Sequence, residues 1–245
     1  MDYDKDFSKM TLDTEYGRAA YFAHRAGPKS LMLVHGLAAS SRSWHRLVSF
    51  LDPGLSIYML DMLGHGDSDA PRINYTVDIQ IKALEMLAEK EKVSKPFLFG
   101  HSYGGWVCAS YAVRGHPLSG LILEDSAGLE NFFSETRGTK DREAYKADIL
   151  SKAKLLTTRA YVIKSMLDDE FSEHQLSSDD LRKITAPTLI IWGAEDSIIK
   201  PKFADIFASH INGSRLRLID GARHTPHFTN AREVSDMVNE FIKTH

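Results

Sequence analysis

Six short apolar runs recur along the chain: Leu31–Val34, Ile57–Leu60, Phe97–Phe99, Leu121–Leu123, Leu189–Trp192 and Leu216–Ile219. Their continuous apolar character suits strands buried on both faces, and segments of helical period lie between most of them. Strands that alternate with helices pack as a parallel sheet covered on each side. The expected fold class is therefore α/β, a mostly parallel central sheet flanked by helices. Expected helices are Ser43–Leu51, Val77–Lys90, Gly105–Arg114, Lys202–Ser209 and Ala231–Lys243. Gly115 and then Pro117 close the third, and Pro201 suits the first turn of the fourth. Two earlier runs, Phe7–Leu12 and Ala19–Ala23, flank Glu15-Tyr16-Gly17 and read as an antiparallel hairpin at the edge of the sheet.

The alternation fails between residues 128 and 183. That stretch is rich in charge and shows no convincing strand. Helices are expected near Arg142–Leu156 and Thr158–Leu167. It is several times longer than an ordinary connection. We read residues 1–127 and 184–245 as one α/β core and residues 128–183 as a helical lid inserted between two core strands. Phe132, Phe133, Tyr145, Leu155, Leu156, Tyr161, Met166 and Leu167 give the lid an apolar side that could wall a pocket.

Composition narrows the function. A chain of 245 residues buries a sizeable core without staples. A formal net charge of −3 gives no electrostatic case for nucleic acid or an anionic membrane. No apolar run approaches the ~20 residues of a membrane span, and the acidic N-terminus lacks the apolar segment of a signal peptide. The one cysteine, Cys108, reads as a small buried hydrophobe and fits a reducing compartment, so the expected location is the cytoplasm. No cluster of His, Cys and carboxylates shows metal-ligand spacing, and no glycine-rich phosphate loop appears, so neither a metal nor an organic cofactor is expected. Oligomeric state is left open.

The chemistry centres on Gly100-His101-Ser102-Tyr103-Gly104, which follows the run ending at Phe99 and opens a helix. Strand, sharp turn and helix with a serine at the apex is the setting of a G-x-S-x-G nucleophile elbow. Serine is a weak nucleophile until a base takes its proton, and the base needs an acid to orient it. Asp196 follows the strand ending at Trp192, and His224 follows the strand ending at Ile219. Strand C-terminal ends are where ligand sites of open α/β sheets gather. Other candidates are weaker. His227 lies three residues past His224, and Glu195 and Asp125 are alternative acids. His35 and His65 read as braces of their turns, Ser41 and Ser43 as helix caps. His24, His45, His116, His174 and His210 read as surface or structural.

In Leu33-Val34-His35-Gly36-Leu37, Asp61-Met62-Leu63-Gly64-His65-Gly66-Asp67-Ser68, Gly100–Gly105, Ala186–Gly193 and His224, taken in order, the chain resembles the α/β-hydrolase-fold serine hydrolases. The resemblance spans about nine-tenths of its length. It implies a triad of Ser102, Asp196 and His224, with an oxyanion hole made by the backbone N–H groups of Leu37 and Tyr103. The chain departs from the family pattern at Arg223, where glycine is common, and in lacking an acidic residue after Pro226-His227. The serine nucleophile argues against epoxide-hydrolase and dehalogenase chemistry.

The expected activity is hydrolysis of carboxylic esters with small to medium acyl chains, a small-molecule reaction passing through an acyl-enzyme. Hydrolysis of a C–C bond in a diketone-like substrate by the same triad is one alternative. A small-molecule receptor that has kept the hydrolase architecture is the other.

Overall fold

The computed structural model describes residues 1–130, 144, 146–147, 149–150, 158–170 and 175–245. Phe132, Phe133, Tyr145, Leu155, Leu156 and His174 lie outside the described residues, as does much of the expected helix near Arg142–Leu156.

All six apolar runs form strands, and the two earlier runs form the expected hairpin. The strands are β1 (Ser8–Thr14), β2 (Gly17–His24), β3 (Ser30–Val34), β4 (Ser56–Leu60), β5 (Phe97–His101), β6 (Gly120–Glu124), β7 (Thr188–Gly193) and β8 (Arg215–Ile219). They form one sheet in the order β1-β2-β4-β3-β5-β6-β7-β8. β1 pairs antiparallel with β2, and β2 with β4; every other pairing is parallel. Central strands are apolar throughout because both of their faces are covered. In β3, Met32 and Val34 join the core on one face, while Leu31 and Leu33 join the core on the other.

β8 departs from the expectation of burial on both faces. It is an edge strand with Arg215, Arg217 and Leu218 exposed and only Ile219 buried. The two arginines discourage pairing with another chain's edge.

Helices span Val77–Lys90, Tyr103–Val113, Lys202–His210 and Ala231–Thr244, close to expectation. Ser43–Leu51 is shorter and broken: a 3₁₀ turn at Ser41–Trp44 runs into one α-turn at His45–Val48. Ser49 Oγ donates to the His45 carbonyl, competing with the helix ladder where it stops. Neither Ser41 nor Ser43 caps it. Ser41 Oγ bonds the Tyr3 hydroxyl, and Ser43 Oγ donates to the Ser40 carbonyl. Between β6 and β7 the described residues hold helices at Ala160–Glu170 and Ser178–Leu181, and a single bridge joins Leu129 to Leu176.

Candidate active site

β5 ends at His101 and the next helix begins at Tyr103, so Ser102 alone makes the turn. Its backbone is forced to φ 53°, ψ −119°, a region a residue with a Cβ rarely enters. The turn is held from three sides. Ser102 N–H donates to the Glu124 carbonyl on β6, and the Ser102 carbonyl accepts from Trp106 and Ala127. Close packing requires Gly104: a Cβ there would overlap the backbone carbonyl oxygens of Val34 and His35. The elbow helix therefore lies against the end of β3.

Ser102, His224 and Asp196 are brought together. His224 Nε2 lies 3.0 Å from Ser102 Oγ, and His224 Nδ1 lies 2.7 Å from Asp196 Oδ2. A carboxylate only accepts, so Nδ1 carries the proton and Nε2 is left as an acceptor facing the serine hydroxyl. Asp196 Oδ1 accepts from the Ile198 and Ile199 N–H groups at 2.7 and 3.1 Å, which fixes the carboxylate on the loop after β7. The Asp196 side chain is fully buried and that of His224 is 14% exposed, so a substrate can reach the imidazole but not the acid.

Leu37 follows Gly36, and Tyr103 follows Ser102, so both lie beside the elbow. Gly36 packs against the elbow, its missing Cβ 2.8 Å from His101 Nδ1 and 3.1 Å from Ser102 Cβ. Leu37 N–H meets no acceptor among the described residues. Tyr103 opens the elbow helix, where N–H groups point out of the N-terminus. The turn beyond Leu37 is stiff: Ala38 sits at φ 60°, its N–H donates to His65 Nε2 at 3.2 Å, and Ala39 N–H closes onto the Gly36 carbonyl.

His35 and His65 are the braces they were expected to be. His35 Nδ1 bonds the Gly36 carbonyl at 2.8 Å, and its Nε2 accepts from Met62 N–H at 3.1 Å. Burial holds the pKa of His35 down to about 4 and that of His65 down to about 3. Burial, with His227 and His224 nearby, also holds His101 well below its ordinary value. In the unfolded chain these groups titrate near 6.5. Above that pH neither state binds the protons; below it only the unfolded state does. Stability therefore falls as pH drops from about 6.5, and the His35 contribution levels off near pH 4. Asp125, whose pKa burial and the neighbouring Glu124 and Asp196 push up, and Asp61, whose pKa burial pushes up, oppose this by at most one proton each. The three histidines outnumber them, so unfolding at pH 5 should take up protons net, about one to two, moving urea midpoints lower from pH 7 to pH 5. A midpoint unchanged over that range contradicts neutral burial of these rings.

The weaker candidates are placed elsewhere. His227 is buried and its Nδ1 is paired with Glu124 Oε2, away from the serine. Glu195 is exposed. Asp125 lies behind Asp196, accepting from Gly193 N–H at 2.9 Å. Two residues of the site were not anticipated. Glu124 ends a strand of leucine and isoleucine, and a charge in a buried strand needs a partner; that was the available signal. His101, within the elbow, has Nε2 2.6 Å from the His224 carbonyl and so tethers the loop that carries the imidazole. Among the described residues, His101, Glu124 and His227, and likewise His101, Asp125 and His224, bring ligand-type atoms within 4.8 Å of one another. His101 Nε2, His227 Nδ1 and both His224 nitrogens are already hydrogen-bonded.

The chain is similar in sequence and in fold to proteins already known. Residues 31–237 match the profile of the alpha/beta hydrolase family. Monoacylglycerol lipase ABHD6 of Bos taurus is 26% identical over 90% of this chain and 77% of its own. Monoacylglycerol lipase abhd6-B of Xenopus laevis is 27% identical over 88% and 75%. Among solved structures, an esterase from Exiguobacterium antarcticum superposes with a TM-score of 0.83 at 19% identity, covering 96% of this chain and all of that one. A meta-cleavage product hydrolase from Pseudomonas fluorescens superposes at 0.76 and 17% identity, covering 98% of each chain. At these identities the structures bear on the fold alone. No described helix is long and apolar enough to cross a membrane.

Proposed function

The chain belongs to the alpha/beta hydrolase family, and on that premise we propose that it hydrolyses carboxylic esters through Ser102, His224 and Asp196. The observation that carries this reading is the unbroken hydrogen-bond path from Ser102 Oγ through His224 to Asp196 Oδ2.

His224 Nε2 takes the hydroxyl proton as Ser102 Oγ attacks the ester carbon. The oxyanion that forms is met by the N–H groups of Leu37 and Tyr103, with the elbow helix's N-terminus adding a favourable dipole. Each donor of this kind is worth ~3–4 kcal/mol of transition-state stabilisation. Imidazolium His224, balanced by Asp196, then protonates the departing alkoxide and leaves an acyl group on Ser102. Water activated by the same imidazole releases the acid. Every step uses side chains, backbone amides and one water.

Residues 128–183 act as a lid over this cleft. Asp169, on the helix Ala160–Glu170, supports that role. It accepts from Val77 N–H at 2.7 Å and from the Tyr103 hydroxyl at 3.4 Å, which ties the lid helix to the residue beside the nucleophile. Small to medium acyl chains are the expected substrates, and the lone buried Cys108 favours the cytoplasm.

Stopped-flow turnover of p-nitrophenyl esters from acetate to decanoate tests the proposal. A burst of p-nitrophenol approaching one equivalent per chain is expected where deacylation is slow, and a fluorophosphonate should modify Ser102 alone. Turnover of a ring-cleavage dienone with negligible turnover of every ester would replace ester hydrolysis by C–C hydrolysis. Modification of a different residue would remove Ser102 from the reaction.

A further inference from the structure

Behind Asp196 lies a second carboxyl group whose hydrogen bonding is incomplete. Asp125 follows β6 with its backbone at φ 44° and is fully buried. Its N–H donates to the Ile191 carbonyl at 3.1 Å, and its Oδ1 accepts from Gly193 N–H at 2.9 Å. Both partners belong to β7, the strand that leads to Asp196. The other oxygen, Oδ2, is buried and meets no donor. An Asp125 oxygen lies within 4.8 Å of a ring nitrogen of His224, the same ring whose Nδ1 is bonded to Asp196 Oδ2, and the Asp196 carboxylate beside it is an acceptor.

A buried carboxylate oxygen facing another carboxylate is unsatisfied and repelled. The same oxygen bearing a proton is satisfied, because it becomes a donor aimed at the acceptor in front of it. We propose that Asp125 stands as the neutral acid and donates its Oδ2–H to Asp196, making it a positioning residue for the Asp196–His224 pair. This rests on the reading of Ser102, His224 and Asp196 as the catalytic triad.

The surroundings agree. Burial, then the charges of Glu124 and Asp196, push the Asp125 pKa well above the usual carboxylate range. The titratable groups facing it are Glu124 on its own strand, Asp196 from the loop after β7, and the rings of His101 and His224 within 4.8 Å. The Asp196 carboxylate is then held by Ile198 and Ile199 N–H, by His224 and by Asp125. The consequence is that the Asp125–Asp196 pair carries a single negative charge behind His224, while Glu124 is paired with His227. A second ionised carboxylate would make the imidazole hold its proton more tightly, and the base would be blocked at neutral pH.

The test is a ¹⁵N NMR titration of the His224 ring in substrate-free protein, beside kcat and KM on a p-nitrophenyl ester. Asp125→Asn keeps a neutral donor toward Asp196 and an acceptor for Gly193 N–H. It should leave the His224 pKa within about 0.3 unit and kcat within about threefold. Asp125→Ala loses the donor, so Asp196 becomes more basic; the His224 pKa should rise by about half a unit or more, with kcat down about tenfold and KM unchanged. A His224 pKa that falls by about a unit in Asp125→Asn shows a native carboxylate and overturns the proposal. So does an unmoved His224 pKa in Asp125→Ala. If the alanine variant does not fold, the asparagine titration decides. The titration needs no substrate, so failure of the ester reading, seen as an inert native enzyme, stays distinct from failure of this one.

Discussion

Ser102→Ala should lower kcat on a p-nitrophenyl ester by about 10⁴- to 10⁶-fold and leave the melting temperature unchanged. The activity loss is expected because His224 Nε2 faces the Ser102 hydroxyl at 3.0 Å, and alanine leaves no hydroxyl there to be activated. The unchanged stability follows from the backbone. Alanine carries the same Cβ into the same φ of 53°, so the strain of the elbow is neither added nor relieved. Leu37 and Tyr103 would still bind the carbonyl, and a residual rate above that in water should survive. Because the residues act as a unit, Ser102→Ala combined with His224→Ala should cost little more than Ser102→Ala alone. Retention of more than about one-hundredth of the native kcat would remove Ser102 from the mechanism.

Gly104→Ala is expected to damage the fold itself. The new methyl group would overlap two backbone carbonyls, those of Val34 and His35, and neither can rotate away as a side chain could. Relief requires the elbow helix to lift from β3, which also opens the contact between Gly36 and Ser102. We expect a loss of about 4 kcal/mol or more, the range of severe core defects. At this chain length that lowers the melting temperature by roughly 10 °C, read by calorimetry. Gly115→Ala is the control. Gly115 sits at φ 80°, but nothing lies within 4 Å of the site of its Cβ. Strain alone should cost about 1 kcal/mol. If Gly104→Ala is no worse than Gly115→Ala, close approach at the elbow is not what demands glycine.

Much of this organisation was legible in the sequence, for physical reasons that differ from element to element. β3, β4, β5, β6 and β7 could be read because both faces are covered and no polar residue interrupts them. β8 was found as a strand but misjudged in setting. Leu216, Leu218 and Ile219 look interior, whereas Arg215 and Arg217 record an open edge. Ser102, Asp196 and His224 were legible because each falls at the C-terminal end of its own strand or just beyond it, a position that chain order exposes. Glu124, His101 and His227 were harder. Their arrangement depends on which side chains meet behind the sheet, and spacing along the chain is silent about that. His227 had looked a rival to His224 because they are near neighbours in sequence. Three residues in a turn are enough to face one ring toward the serine and bury the other against Glu124.

The strand order also governs when the site can exist. Ser102 lies on the turn after β5, in the middle of the sheet, while Asp196 and His224 follow β7 and β8, the last two strands added at its far edge. The serine and its base are 122 positions apart. A growing chain can lay down β1 to β6 and form the strained elbow with no base opposite it. Reactivity then arrives late, once the final quarter of the polypeptide has docked. Regain of hydrolytic rate during refolding would time that last docking step, and the nucleophile stays quiescent until the scaffold around it is complete.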